Sequence, residues 1–177
     1  MIKGLQKAVN FANKVHDGQV RKDVPIPYIV HPLSVVRLLA QCEIDNPDIL
    51  IAAALHDVIE DTNTTADDLL DMFSETAVNY VVELTMPDDI IGSAAKTEYL
   101  EDFSLSASQG AVIIKAADRI CNVEDYHYSG KLGYAQKYAL QAVTVFGRAL
   151  TFSEELKNRI YEMGILTNIL DSFRENK

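Results

Sequence analysis

Apolar residues along this chain recur at helical rather than strand spacing. Ala8, Phe11, Ala12 and Val15 mark one face of a first helix, which Asp17-Gly18 closes just after His16. The stretch from Gln19 to Tyr28 carries Pro25 and Pro27 and keeps no period, so it reads as an extended loop. After His31-Pro32, with proline suited to a first helical turn, Leu33, Val36, Leu38 and Leu39 define a second helix ending near Glu43. Asn46-Pro47 is an N-cap and N1 pair, and the helix it opens is apolar on nearly every side from Ile49 to Leu55, as a central buried helix is. Thr64-Thr65-Ala66-Asp67 starts a short helix through Leu69, Leu70, Met72 and Phe73 with a capping-box pattern, and another is expected from Ala77 to Leu84, stopped near Pro87. Asp88 to Ser108 has weak periodicity, Gly92 and scattered serines, which predicts a loop with a short helix inside it, a candidate lid. From Gly110 a second nearly all-apolar helix begins, and two amphipathic helices follow, around Gly133 to Leu150 and Ser153 to Phe173. With no alternating strand pattern, repeat or linker, the expectation is an all-α fold, a single compact multi-helix domain spanning residues 1–177.

Composition narrows the partners. A net charge of −10 opposes non-specific binding to a phosphate backbone, and the sequence shows no concentrated basic patch, so no nucleic-acid partner is expected. No apolar run approaches the ~20 residues of a membrane-spanning helix, and the amphipathic start Met1-Ile2-Lys3-Gly4-Leu5 lacks a signal peptide's apolar stretch. Cys42 and Cys121 sit unpaired in apolar helical patterns and read as buried thiols of a reducing, cytoplasmic compartment. A homo-oligomer stays open, because the long C-terminal helices offer apolar faces.

Against that background a few polar residues stand out. His56, Asp57, Glu60 and Asp61 follow directly on the apolar Ile49–Leu55 helix, where charges need partners. If the helix continues, i, i+4 spacing gathers them into one polar patch; a helix end reaching solvent is the plainer alternative. Lys115, Asp118 and Asn122 form a polar stripe on the second apolar helix, where Asp118 wants a cation, either an ion or Arg119 or a lysine. His31, alone, would be a surface histidine at a helix start. Together, two histidines and two aspartates offer nitrogen and oxygen donors without thiolate, a set suited to Mn²⁺, Fe²⁺ or Zn²⁺ and thereby to hydrolysis of phosphate esters.

The order His31, His56-Asp57, Asp118 resembles the H…HD…D pattern of HD phosphohydrolases. Three stretches are more specific: Arg21-Lys22-Asp23 before Pro27-Tyr28-Ile29-Val30-His31-Pro32, Ala53 to Thr62, and Lys115 to Asn122. They resemble the hydrolase domain of the RelA/SpoT family, and the length resembles its stand-alone small alarmone hydrolases. That resemblance implies an HD domain and Mn²⁺-dependent removal of the 3′-pyrophosphate of guanosine tetra- or pentaphosphate, leaving GDP or GTP. It implies His31, His56, Asp57 and Asp118 as metal ligands, with another divalent metal as the alternative to manganese. Glu60 and Asp61 would then orient or activate the attacking water. Arg21 and Lys22 would meet base and phosphate; Tyr28 would line the base pocket or pack on the core; Lys96 would contact phosphate and Asn122 would hold water or a phosphate oxygen. After residue 125 the match is loose, with Lys137 and Tyr138 as candidates for the remaining contacts. Alternative readings are an HD phosphohydrolase for another nucleotide, such as an adenosine alarmone, a deoxynucleotide or the 2′-phosphate of NADPH, and a non-catalytic nucleotide-binding protein.

Overall fold

The computed structural model describes residues 4–22, 25–147, 150–151 and 153–172, without the side chains of 144 and 165–172. The helices are α1 (Leu5–Val15), α2 (Val30–Gln41), α3 (Pro47–Leu55), α4 (Val58–Asp61), α5 (Ala66–Leu70), α6 (Glu75–Leu84), α7 (Ser93–Ser106), α8 (Gln109–Tyr128), α9 (Leu132–Gln141) and α10 (Glu154–Ser172). The fold is all-α, and among the described residues the extended pairing is one isolated antiparallel bridge, Val20 to Pro27. No described helix is long and apolar enough to cross a membrane.

α3 is the axle. Asn46 caps it, its Oδ1 accepting from the Asp48 backbone 2.9 Å away, and Ile49 through Leu55 are all buried. α1, α2, α6 and α8 pack around it. Each fully buried leucine, such as Leu50 or Leu55, is worth about 1.5–3 kcal/mol of transfer free energy. The second apolar helix, α8, starts at the Ser108 cap and packs on α2, α3, α6, α9 and α10. Gly110 lets it begin close to α6, since a Cβ there would lie 2.5 Å from Tyr80 Cζ. Both cysteines are buried and free, and burial raises the Cys121 thiol above its ordinary range.

Some expectations need correction. The Asp88–Ser108 stretch is largely helix: α7 runs fourteen residues. It buries only Leu100 and Phe103, so periodicity is nearly silent, whereas its alanines, leucines, lysine and glutamates favour helix by intrinsic propensity. The helix expected from Gly133 to Leu150 changes pitch after Gln141, where Ala142–Phe146 form a wider π turn. The central helix does not run on unbroken through the polar patch: α3 ends at Leu55, His56 and Asp57 form a turn, and α4 restarts with Asp61 N donating to Asp57 O at 2.8 Å. α5 does open on a capping box, Thr65 with Asp68, one position beyond the expected Thr64–Asp67 spacing, and it ends at Leu70 rather than running on through Phe73. Asp23 and Val24 of the predicted loop, and Phe173 at the predicted end of the last helix, lie outside the described residues.

Candidate functional site

Three helices bring the polar exceptions to one point. His31 enters from the first turn of α2, His56 and Asp57 from the turn after α3, and Asp118 from the middle of α8. His31 Nε2 lies 3.1 Å from Asp118 Oδ1 and 3.9 Å from Asp57 Oδ2; His56 Nε2 lies 3.0 Å from Asp57 Oδ2 and 3.9 Å from Asp118 Oδ1. One ligand atom each from His31, His56 and Asp118 falls within 4.8 Å of the others, and all three residues are buried. Separations of 3.0–3.9 Å suit donors sharing one ion with bonds of about 2.1 Å.

A second observation points the same way. His56 Nδ1 bonds the Ala53 carbonyl at 2.9 Å, the hydrogen bond that fixes a ligating imidazole with its Nε2 lone pair inward. Among the described residues that buried Nε2 makes no well-aligned hydrogen bond, although it faces Asp57 Oδ2 at 3.0 Å. Buried, fixed and turned toward carboxylates, it fits a divalent cation.

The electrostatics of the cluster carry a pH prediction. Burial presses the His56 imidazolium down, but the Asp57 and then the Asp118 carboxylates outweigh it and carry the group up to about 9. Both carboxylates resist burial and are held well below their ordinary range, Asp57 by His56 and His31, Asp118 by His31 and Lys115. A raised His56 stabilises the ion-free fold fully below about pH 6.5, and that contribution is lost as pH rises through about 9. The depressed aspartates stabilise above pH ~4 and fail as pH falls. In chelator, stability should therefore drop between pH 6.5 and 9, His56 alone contributing on the order of 3 kcal/mol, and added divalent cation should flatten the drop. Urea titrations at pH 6 and pH 9 test this; equal midpoints in chelator would refute it.

Around the cluster stands a fixed polar shell. The Tyr28 hydroxyl lies 2.7 Å from Asp57 Oδ2 and 2.6 Å from Asp61 Oδ2, and burial together with these carboxylates holds the phenol neutral. The Tyr28 ring stacks on His16 at 4.7 Å. His16 Nδ1 meets Gln19 Oε1 at 2.8 Å, and Gln19 Nε2 donates to the Asp61 carbonyl at 3.0 Å. Arg21 donates through Nη2 to Asn122 Oδ1 at 2.8 Å and to Asp125 Oδ2 at 2.7 Å, with its guanidinium 5.5 Å from the Tyr28 ring centre. Asn122 donates to Asp118 Oδ1.

These side chains line a cleft of about 350 Å³ that brings together Arg21, Lys22, Tyr28, His31, Asp57, Glu60, Asp61, Lys96, Asp118 and Asn122, with His56 behind its wall. All candidate site residues thus meet in one region. Glu60 accepts from the Met86 backbone at 3.2 Å, and desolvation at the cleft wall raises its pKa against the pull of Lys115. A larger, shallower groove of about 590 Å³ beside Phe11, Val15 and Met72 brings together none of these donors. Sequence reasoning missed His16, Gln19 and Asp125 and gave Arg119 and Tyr126 no ligand role, though the last two line the cleft beside Tyr138. One signal was available: Asp125 extends the Lys115, Asp118, Asn122 stripe by one more helical step.

Known proteins resemble this chain in sequence and in fold. A family model described as HD domain matches residues 8–148. The chain is similar to the zebrafish (Danio rerio) guanosine-3′,5′-bis(diphosphate) 3′-pyrophosphohydrolase MESH1, 31% identical over 91% of this chain and 94% of that one. It is 30% identical to human (Homo sapiens) MESH1, over 91% and 95%. The guanosine-3′,5′-bis(diphosphate) 3′-pyrophosphohydrolase of Aquifex aeolicus is 34% identical over 68% of this chain and 17% of that longer one. A solved structure of a metazoan ortholog of SpoT superposes with a TM-score of 0.73, covering 91% of this chain and 93% of that chain at 22% identity.

Proposed function

This chain belongs to the HD-domain family, and from that premise we propose that it is a metal-dependent phosphohydrolase removing the 3′-pyrophosphate of guanosine tetra- and pentaphosphate to leave GDP or GTP. The observation that carries the reading is the convergence of His31, His56 and Asp118 at a cleft that also holds the Asp57, Glu60 and Asp61 carboxylates and the cationic side chains of Arg21, Lys22 and Lys96. In this reading residues 1–177 work as one domain in a cytoplasmic setting, consistent with two free buried thiols.

His31, His56, Asp57 and Asp118 would hold the divalent cation. We assign it as Mn²⁺, the ion that the resemblance to the alarmone hydrolases implies; imidazole and carboxylate donors without thiolate fit it, as they fit Fe²⁺ or Zn²⁺. When bound, it supplies Lewis-acid stabilisation of phosphoryl charge and a water more acidic than bulk.

The chain's own groups do the rest. Glu60, its pKa raised by desolvation, accepts a proton from the attacking water. Asp61, held by Tyr28 and by Gln19 through its backbone carbonyl, orients that water, and the proton that Glu60 takes from it goes on to the leaving oxygen. Asn122 holds a phosphate oxygen or the water beside Asp118. Arg21, its edges fixed by Asp125 and Asn122, offers a planar face to the base, with Tyr28 behind it. Lys22 and Lys96 meet phosphate from the cleft rim.

Incubating the Mn²⁺-loaded protein with guanosine tetraphosphate and resolving GDP and pyrophosphate tests the reading. A panel adding an adenosine alarmone, deoxynucleotides and NADPH tests the substrate class: turnover of one of these without turnover of the guanosine alarmone would defeat it. Tyr28→Phe keeps the ring stacks and removes one hydroxyl shared by two carboxylates. Its kcat is expected to fall about tenfold or more with KM little changed, as one charge-assisted hydrogen bond is worth. Steady-state kinetics at saturating Mn²⁺ reads the split, and an unchanged kcat would remove Tyr28 from the catalytic arrangement.

A further inference from the structure

His16 takes no part in the reaction described above, yet a chain of contacts runs from it to Asp61. The residue closes α1 and is 3% exposed. Gly18, at φ 76°, turns the backbone so that Gln19 N donates to the His16 carbonyl at 3.0 Å, and the Gln19 side chain comes back against the imidazole. There His16 Nδ1 and Gln19 Oε1 lie 2.8 Å apart, while Gln19 Nε2 donates to the Asp61 carbonyl at 3.0 Å.

The far end of this chain sets its polarity. A backbone carbonyl can only accept, so Gln19 turns its NH₂ toward Asp61 and its oxygen toward His16, and Nδ1 carries the hydrogen between ring and amide. The flipped amide would set two oxygens against each other at Asp61 and would need an imidazole with a bare Nδ1. The ring edge therefore decides which way the Gln19 amide points. His16 Nε2 is buried and makes no hydrogen bond among the described residues, so the polar work of the ring falls to Nδ1.

That direction matters because α4 is too short to hold itself. Val58–Asp61 make barely one turn, and a helix leaves its last carbonyls without partners of its own. Glu60 and Asp61 both ride on this turn, and contacts from outside fix it: Met86 N to Glu60, the Tyr28 hydroxyl to the Asp61 carboxylate, and Gln19 to the Asp61 carbonyl. The face of the imidazole does less than its edge. It stacks on Tyr28, but Tyr28 is also held by its two carboxylates and by its backbone N, which donates to the Gln19 carbonyl at 3.0 Å.

We propose that His16 is a positioning residue for the hydrolysis: through its Nδ1–H it orients the Gln19 amide, which holds the end of α4 and with it the Asp61 carboxylate at the attacking water. His16 lies outside the His31, His56, Asp118 cluster and does not line the cleft, so it acts through Gln19. The inference rests on the phosphohydrolase reading for its reaction, whereas the chain of contacts is an independent observation.

Two substitutions separate edge from face. His16→Phe keeps a ring on Tyr28 and loses the donor; His16→Asn loses the ring and keeps an amide donor near the Nδ1 position. With guanosine tetraphosphate at saturating Mn²⁺, His16→Phe is expected to lower kcat about tenfold, with KM and bound metal within about twofold of wild type, as loss of one orienting hydrogen bond implies. His16→Asn is expected to bring kcat back to within about threefold of wild type. Gln19→Met, at a half-buried position, covers the case in which His16→Phe fails to fold; it is expected to match His16→Phe, and the double variant to fall no further than either single one. Amide hydrogen exchange across residues 58–62 reads the same chain without turnover: it is expected to quicken about tenfold in His16→Phe and in Gln19→Met and to keep the wild-type rate in His16→Asn. A wild-type kcat in His16→Phe, or in Gln19→Met where the former does not fold, overturns the proposal, as does a His16→Asn protein no faster than His16→Phe. Turnover that is alike in all variants leaves the hydrolase and removes the positioning role. Exchange that follows the Nδ1 donor in a protein without turnover leaves the chain of contacts and removes the hydrolase.

Discussion

His56→Ala is expected to empty the site of its divalent cation and reduce hydrolysis to background. The imidazole is wholly buried, its Nδ1 is committed to the Ala53 carbonyl, and its Nε2 faces the Asp57 and Asp118 carboxylates. Disturbing a group that only supports a ligand typically costs about 10–100-fold in metal affinity, so losing a ligand itself should cost at least about 100-fold. Alanine also takes from Asp57 the imidazolium that chiefly holds its carboxylate low, and removes a smaller pull on Asp118. Two acids would then crowd one apolar pocket, and the ion-free variant should be less stable than wild type near neutral pH. Metal analysis after dialysis, activity at limiting and at saturating Mn²⁺, and a urea titration follow the three effects. A metal-free His56→Ala protein that still turned over substrate would overturn the mechanism.

Glu60→Gln is expected to keep the metal and lose most turnover, a fall in kcat of about 10²–10⁴-fold, the usual worth of a positioned general base. The substitution is nearly isosteric, and the amide oxygen can still accept from the Met86 backbone as the carboxylate does, so the α4 turn should stay in place. What disappears is the proton acceptor. Because Glu60 lies outside the His31, His56, Asp118 cluster, metal content should stay at the wild-type level. Full activity in Glu60→Gln would move the base to Asp61, whose Asp61→Asn variant is the comparison to run beside it.

His56 and Asp118 also show why a candidate site is legible in the sequence. His56 and Asp118 each interrupt a helix that is apolar on nearly every side, and a polar group in that setting must find a partner whatever the neighbouring helices are. The anomaly is local, so it is visible in one dimension. α7 is the opposite case. It buries two residues of fourteen, so its helix leaves almost no periodic trace. The break at His56-Asp57 was equally silent, because a relaxed turn between two helical segments changes no residue pattern, yet it separates Glu60 from the row above it.

By itself the sequence determined the helices that bury a face, the cap at Asn46, the buried thiols and the donor set of the candidate metal site, because each follows from a residue's character and its spacing to near neighbours. Tertiary structure alone decided that the Tyr28 hydroxyl sits between Asp57 and Asp61, that Arg21 is tied to Asp125 104 positions away, and that Arg119 meets an aromatic ring on α9. Those contacts join side chains from different helices, and which side chains meet is set by how the helices cross, a quantity that no single stretch of sequence carries.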